Sequence, residues 1–350
     1  MVPPGAPILV TGGAGFIGSN LADRLAGQGH TVRIFDALAR PGVEANLDWL
    51  QRRHGAQIVP IVADVRDRPA VVEAVHSVQA VFHMAAQVAV TTSLDEPELD
   101  FDVNLRGTIN VLEAVRRGGT RPALVFASTN KVYGALGDIP LARDGNAYLP
   151  TDPELRATGI GETRPLSFYT PYGCSKGAAD QYVLDYARSY DIPACVLRMS
   201  CIYGPRQRGT EDQGWLAHFL YSILAGRPIS IYGDGRQVRD VLYVDDAVDT
   251  YLAAWDRIAE ISSQAFNLGG GPGNAVTLLQ VLAELGEITG RTPDLRFSEW
   301  RPGDQRYFVA DTSRATTALG LAAPRPWQDG LRRLADWVDS ERVHAMERVA

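Results

Sequence analysis

Tyr172 and Lys176 stand four residues apart in the string YGCSK. On a helix, residues at that spacing share a face, so the phenol and the ammonium would lie one turn apart. The arrangement suits a tyrosinate acting as a base. A free tyrosine has a pKa of about 10, so work at neutral pH requires a depression of about 3 units, roughly 4 kcal/mol of preference for the anion. A unit charge at about 4 Å contributes around 4 kcal/mol at an effective dielectric near 20, so one neighbouring cation suffices. Upstream, Ser128 and Thr129 place two hydroxyls in ASTNKVYG. Taken alone, both features are ordinary: an exposed helix pair, and a turn cap after a strand.

The string ILVTGGAGFIG, Ile8 to Gly18, gives them a context. A short apolar run leads into Gly12, Gly15 and Gly18, and then Leu21, Ala22 and Leu25 set a helical stripe. A strand, a tight turn and a helix N-terminus follow from that pattern. Side chains at Gly12 and Gly15 would collide with a pyrophosphate, while Gly18 lets the helix sit close to the sheet. The backbone N–H groups opening the helix, at Phe16 and Ile17, would face the phosphates. A second apolar run, Thr31 to Phe35, ends in Asp36, where a ribose-binding acid is expected. A carboxylate there favours NAD over NADP, although Arg40 nearby weakens the preference. A positive nicotinamide would add a second cation beside Tyr172.

The elements needed to position these residues recur along the chain. Strands are expected at Ile58–Val62, Ala80–Met84, Ala123–Ala127 and Ala194–Arg198. Helices are expected at Arg68–Val75, around Phe101–Arg116 and at Ser175–Tyr190. Alternation of this kind implies a doubly wound parallel sheet of Rossmann type, with ligands beyond the carboxyl ends of its strands. The stretch from Gly134 to Thr170, rich in Pro, Gly and charge, reads as a long functional loop. Beyond residue 200 the rhythm loosens into a smaller mixed α/β lobe. There the expected elements are helices at Leu216–Leu224 and Asp245–Trp255 and strands at Ile229–Tyr232 and Ala265–Leu268. A capping box, Thr277 with Gln280, opens a further helix. The division is 1–199 for the cofactor domain, with 237–270 returning to it, and 200–350 mainly for the substrate lobe.

With 350 residues and 45% hydrophobic content, the chain can bury a large core. A net charge of −7, without a basic block, argues against nucleic acid or an anionic membrane as partner. No apolar run approaches the roughly 20 residues that span a bilayer. Cys174, Cys195 and Cys201 are too few and too scattered for a disulfide framework or a zinc site, so no metal and a reducing cytoplasm are expected. Thiol catalysis by Cys174 is set aside, since a small buried residue is the simpler reading.

GGAGFIG, Asp36, HMAAQ, ASTNKVYG and YGCSK, in this order, resemble the extended short-chain dehydrogenase/reductase family acting on nucleotide sugars. The resemblance covers nearly the whole chain. Within that family STNKVYG, PYGCSKGAADQYVLDYAR, DQGW, GDGRQVRDVL and GDQRYFVAD are similar to the CDP-tyvelose (CDP-paratose) 2-epimerase group. The resemblance implies NAD as cofactor and a nucleotide-diphosphate sugar as substrate. It assigns the catalytic hydroxyl to Thr129, the base to Tyr172 and the electrostatic partner to Lys176. It further implies Asp36 at the adenosine ribose and Asp64 with Val65 at adenine. Ala85, Ala86, Gln87 and Ser128 would lie along the pyrophosphate and nicotinamide, and Asn104 would support the active-site helix. On the substrate side it implies Thr129, Asn130, Lys131, Cys201, Gln213, Arg239 and Arg301, the two arginines gripping the diphosphate as bidentate guanidinium groups can.

Dehydratases of this family carry an acid pair directly after the strand-5 hydroxyl. This chain has Asn130 and Lys131 there, which disfavours elimination of water. The leading expectation is an NAD-dependent nucleotide-sugar epimerase inverting C2 of a CDP-linked or other hexose. The alternatives are a 4-epimerase or another oxidoreductase on the same scaffold, and a non-catalytic dinucleotide sensor. An intact Thr129, Tyr172 and Lys176 set counts against a sensor, which needs no base. The resemblance also implies a homodimer paired through the helices around Asn104 and Tyr182, whose apolar faces could equally pack within the chain.

Overall fold

The computed structural model describes residues 5–301 and 303–347. Seven strands form one parallel sheet: β1 (Ile8–Thr11), β2 (Val32–Asp36), β3 (Ile58–Val62), β4 (Ala80–His83), β5 (Ala123–Thr129), β6 (Ala194–Met199) and β7 (Ala265–Leu268). Their order across the sheet is β7-β6-β5-β4-β1-β2-β3, with every neighbouring pair parallel. The order reverses between β1 and β4, which opens a crevice at the carboxyl ends of those two strands.

Helices cover both faces. On one face α1 (Phe16–Gly27) and the helices Val43–His54 and Val244–Asp256 seal a core around Ile8, Val10, Phe82 and Tyr251. On the other, Arg68–Val75, α2 (Gly107–Arg117) and α3 (Thr170–Tyr190) cover Leu9, Val81, Leu124 and Val196. Burial on both faces explains why these strands read as apolar runs rather than alternating ones. Of the stretch 237–270, helix Val244–Asp256 and β7 join this sheet. Strand Val238–Tyr243 does not: it is the centre of a second, mixed sheet with 275–277 antiparallel and 201–203 and 307–308 parallel. Helices Trp215–Leu224, Leu278–Thr289 and Trp327–Glu347 pack on that lobe.

The helices Val43–His54 and Trp327–Glu347 were not anticipated from the sequence, and the segments 134–170, 101–116 and the start of α3 differ from its expectation. The region 134–170 holds a hairpin, Leu141–Asp144 with Ala147–Pro150, and a short helix, Pro153–Thr158. Leu136, Ile139 and Ile160 pack there against Tyr133, Phe308 and Ala310, which anchors the excursion to the second lobe. The helix expected over 101–116 is interrupted: a π turn at Asp102–Arg106 separates Pro97–Phe101 from α2. Finally, α3 starts at Thr170, with Pro171 in its first turn, where the missing amide proton costs nothing. Among the described residues no helix is long and apolar enough to cross a membrane.

Candidate active site

The turn after β1 is shaped by the chain itself. Gly12 has φ of +67°, and a Cβ there would come within 2.8 Å of the Ala85 nitrogen. A Cβ on Gly18 would lie 2.2 Å from the Gly12 carbonyl. These two glycines are therefore demanded by close backbone approach between β1, β4 and α1, before any ligand is considered. The first intrahelical bond of α1 runs from Ser19 N to Gly15 O, so the N–H groups of Phe16, Ile17 and Gly18 point out of the helix end. Asp36 terminates β2 beside them, accepting from Ala14 N (3.0 Å) and Leu38 N (2.9 Å). Burial raises its pKa against those bonds and against Arg40. N–H donors at a helix start next to a strand-end carboxylate fit a pyrophosphate and a ribose diol. Asp64 is held in a fork by the Arg66 guanidinium at 2.9 and 2.7 Å, which lowers its pKa. Val65 is buried against Gly107.

Behind the crevice runs a chain of hydrogen bonds that the sequence did not reveal. Ala85 N donates to Thr11 Oγ1 (3.2 Å), which bonds His83 Nδ1 (2.7 Å). His83 Nε2 meets Thr108 Oγ1 at 3.0 Å, and that hydroxyl donates to Asn104 O at 2.6 Å. Since the Thr108 proton is spent on a carbonyl, His83 must carry its proton on Nε2 and accept at Nδ1. Full burial, helped by the charge of Lys176, lowers its pKa to about 3, so the ring is neutral. The π turn then aims Asn104 at Gln87: Gln87 N donates to Asn104 Oδ1 (2.8 Å) and Asn104 Nδ2 donates to Gln87 O (3.1 Å). The same Nδ2 contacts Asp100 Oδ1 (3.0 Å) and Ser175 Oγ (3.1 Å), tying α3 to the exit of β4. Ala86 lies half-buried in that exit. Only HMAAQ had drawn attention to His83, and Asp100 carried no signal beyond standing one helical turn before Asn104.

Thr129 ends β5 within hydrogen-bonding reach of the Tyr172 phenol. Its hydroxyl accepts from Lys131 N at 3.2 Å. Lys176, on the same face of α3, donates to Ala127 O (2.6 Å) and lies 4.2 Å from the centre of the Phe126 ring. The structure thus gathers Thr129, Tyr172 and Lys176, but the electrostatics differ from the simple expectation. Burial pushes the Tyr172 phenol up to about 12, outweighing the Thr129 hydrogen bond. Burial likewise pulls Lys176 down to about 7, against Asp180 and Asp100. Desolvation thus opposes both the phenolate of Tyr172 and the ammonium of Lys176. Ser128 does not face the cleft with its hydroxyl, which donates to Asp180 Oδ2 (2.8 Å). Asp180 is in turn forked by Arg198 at 2.9 and 3.0 Å, a buried pair bracing α3 against β6.

The substrate-side residues divide into two groups. Lys131 and Arg239 converge on Asp304, with Cys201 near both cations: Arg239 Nη2 donates to Asp304 Oδ1 at 2.7 Å, and Lys131 Nζ lies 3.9 Å from the same oxygen. The Cys201 thiol accepts from Trp215 Nε1 (3.5 Å), and burial, foremost among its influences, raises its pKa. Asn130 is buried beside this group and contacts Gln305 Oε1 at 3.4 Å. Gln213 and Arg301 lie along the loop 205–214. Gln213 accepts from Arg40 at 2.8 Å, which puts it at the Asp36 end of the crevice rather than with Lys131. Arg301 stacks on Tyr232 at 3.8 Å and pairs with Asp212 at 3.0 Å. Asp304 had been missed, although it follows Arg301 in RPGD.

A hydroxyl, a phenol and a lysine at the end of a dinucleotide crevice could move the proton of a carbinol while a dinucleotide held there would take and return its hydride. Comparison with known proteins agrees with that chemistry. The model of the NAD dependent epimerase/dehydratase family matches residues 8–269. CDP-paratose 2-epimerase of Salmonella typhi is 39% identical over 342 residues, covering 95% of this chain and 99% of the relative. UDP-glucose 4-epimerase of Mycolicibacterium smegmatis is 32% identical over 330 residues, covering 94% and 97%. The crystal structure of UDP-glucose 4-epimerase from Thermotoga maritima with UDP-glucose superposes with a TM-score of 0.81 at 31% identity, covering 96% of this chain and 99% of that one. The Thermus thermophilus UDP-glucose 4-epimerase complex with NAD gives 0.78 at 32% identity, covering 95% and 98%. With its glycine turn, its Asp36 and these matches, the chain belongs to the NAD-dependent epimerase/dehydratase family and is an enzyme whose cofactor is NAD.

Proposed function

We propose that this NAD-dependent nucleotide-sugar epimerase inverts C2 of a CDP-linked 3,6-dideoxyhexose through a 2-keto sugar. The observation that carries the reading is the 39% identity, over 342 residues, to a CDP-paratose 2-epimerase. Tyr172 takes the proton of the C2 hydroxyl while Thr129 shares its hydrogen bond. NAD, when bound, accepts and returns the C2 hydride and adds positive charge beside Tyr172. Lys176 orients the cofactor edge of the cleft. Gly12, Gly15, Phe16, Ile17 and Gly18 hold the pyrophosphate, Asp36 the adenosine ribose and Asp64 with Val65 the adenine. Ala85, Ala86 and Gln87, braced by Asn104, line the nicotinamide side, with Ser128 acting through Asp180. Arg239 and Arg301 grip the diphosphate while the keto sugar turns over between two hydride transfers.

Oxidation at C4 of such a sugar would acidify only C3 and C5, so a 4-ketone cannot invert C2. Substrate deuterated at C2 should therefore keep its label at C2, and reaction in deuterium oxide should introduce none. Loss of the C2 label to solvent overturns the hydride mechanism.

The reading takes 1–199 with β7 as the cofactor domain and 200–350 mainly as the substrate lobe. It also includes a homodimer paired through the helices around Asn104 and Tyr182, supported by the exposed side chains of Phe101 on the short helix before the π turn and of Tyr182 and Tyr190 on α3. Light scattering in solution tests that, and a monomer refutes it. Three unpaired cysteines, of which Cys174 is exposed rather than buried as expected from the sequence, support a cytoplasmic setting, which cell fractionation checks.

A further inference from the structure

Lys131 stands two residues after Thr129, and its ammonium has few close partners. Its backbone N–H donates to the Thr129 hydroxyl at 3.2 Å, which locks its position to that of the hydroxyl. Its ammonium has three protons. One reaches Gly303 O at 3.5 Å, the outer limit of a hydrogen bond. The Asp304 oxygen 3.9 Å away is already taken by Arg239 at 2.7 Å. The Gly303 turn is itself pressed onto the start of α3, since a Cβ on Gly303 would come within 2.8 Å of the Tyr169 ring. The ammonium thus lies between the Gly303 turn and the Arg239–Asp304 pair, with a spare donor and 23% side-chain exposure.

Such a cation awaits an anion. The anion the chemistry brings is the sugar-bound phosphate, and its distance from the reacting carbon depends on which carbon reacts. From C2 to the β-phosphorus the path is C2, C1, the glycosidic oxygen and phosphorus, three bonds. From C4 it is five bonds, across the ring. An enzyme working at C2 has to bind phosphate close to its hydroxyl and phenol pair, whereas one working at C4 has to hold it a ring's width away. We propose that Lys131 binds the β-phosphate beside Thr129 and thereby selects C2 as the carbon presented to Tyr172.

This rests on the C2 reading above and assigns Lys131 as a specificity-determining residue. Arg239, paired with the same Asp304 oxygen that Lys131 approaches, completes the phosphate site. Lys131 occupies a place where an acid would repel that phosphate, so the residue type itself is part of the selection.

The test compares the NAD-loaded protein with Lys131→Met and Lys131→Arg. Calorimetric titration with CDP and with CMP isolates the β-phosphate. Lys131→Met should narrow the CDP-over-CMP preference roughly 10- to 100-fold by weakening CDP alone, and Lys131→Arg should restore most of it. With CDP-paratose labelled at C2, kcat at saturation should fall in Lys131→Met by a similar factor, while NAD content and thermal stability hold. An unchanged CDP/CMP ratio, or an unchanged kcat, overturns the assignment. The wild-type reaction separates the two readings: a wild type that leaves C2 uninverted refutes the C2 function, whereas C2 inversion at the wild-type rate in Lys131→Met refutes only the role of Lys131.

Discussion

Asn104 and Gln87 exchange two hydrogen bonds, side chain to backbone in both directions, at 2.8 and 3.1 Å. That exchange joins the π turn to the exit of β4, so the position of α3 and the lip of the dinucleotide crevice are set by one amide. Asn104→Ala removes the side-chain partner of Gln87 N and of one Asp100 oxygen, while Ser175 still donates to the other. It should lower unfolding free energy by about 3 kcal/mol and kcat on the order of 100-fold through misplacement of α3. Urea titration and steady-state rates check both. A stable, fully active variant contradicts the bracing role.

Tyr172→Phe should abolish turnover and leave NAD content unchanged, because only the ionisable oxygen is lost. Burial holds the wild-type phenol up at about 12, so its neutral form prevails at physiological pH and phenolate grows only as pH rises. A positive charge brought by NAD shifts that titration downward. Ultraviolet difference absorbance of the phenolate, followed against pH with and without NAD and absent in Tyr172→Phe, should show it. Superimposable titrations would count against Tyr172 as the base.

Arg239 and Arg301 should separate under mutation. Arg301 pairs at the surface of the loop 205–214, so Arg301→Ala should raise KM with little change in stability. Arg239 is buried with Asp304, so Arg239→Ala should raise KM and also cost about 2 kcal/mol by stranding that carboxylate. A pure kcat loss with unchanged KM in either variant would contradict diphosphate binding.

His83 should make the fold acid-sensitive. Its folded pKa, about 3, lies below the unfolded value of 6.5. The unfolded chain therefore takes up a proton first as pH falls, and stability is lost from pH 6.5 downward at about 1.4 kcal/mol per unit, reaching about 5 kcal/mol near pH 3. Above 6.5 the residue contributes no pH dependence. Unfolding free energies at pH 7, 6 and 5 should show that slope, and His83→Gln should flatten it even if less stable throughout.

The β1–α1 turn, the alternation of strands and helices and the Tyr172–Lys176 spacing were legible in the chain, because each is a local pattern of period and steric demand. Even the termini of β3 and β7 fell where the apolar runs begin and end. Strand Val238–Tyr243 was legible only as an arginine motif, since its partners at 201–203, 275–277 and 307–308 lie far along the chain. The π turn escaped because the reach of Asn104 to Gln87, not helical propensity, accounts for it. Gln213 was placed on the substrate side by the resemblance of DQGW, and its hydrogen bond from Arg40, 173 residues away in the chain, was visible only in the fold. The directions of the Tyr172 and Lys176 shifts were beyond sequence for the same reason. Spacing along one helix tells which groups face one another, but desolvation is set by every element packed around them, and only the folded chain brings those elements together.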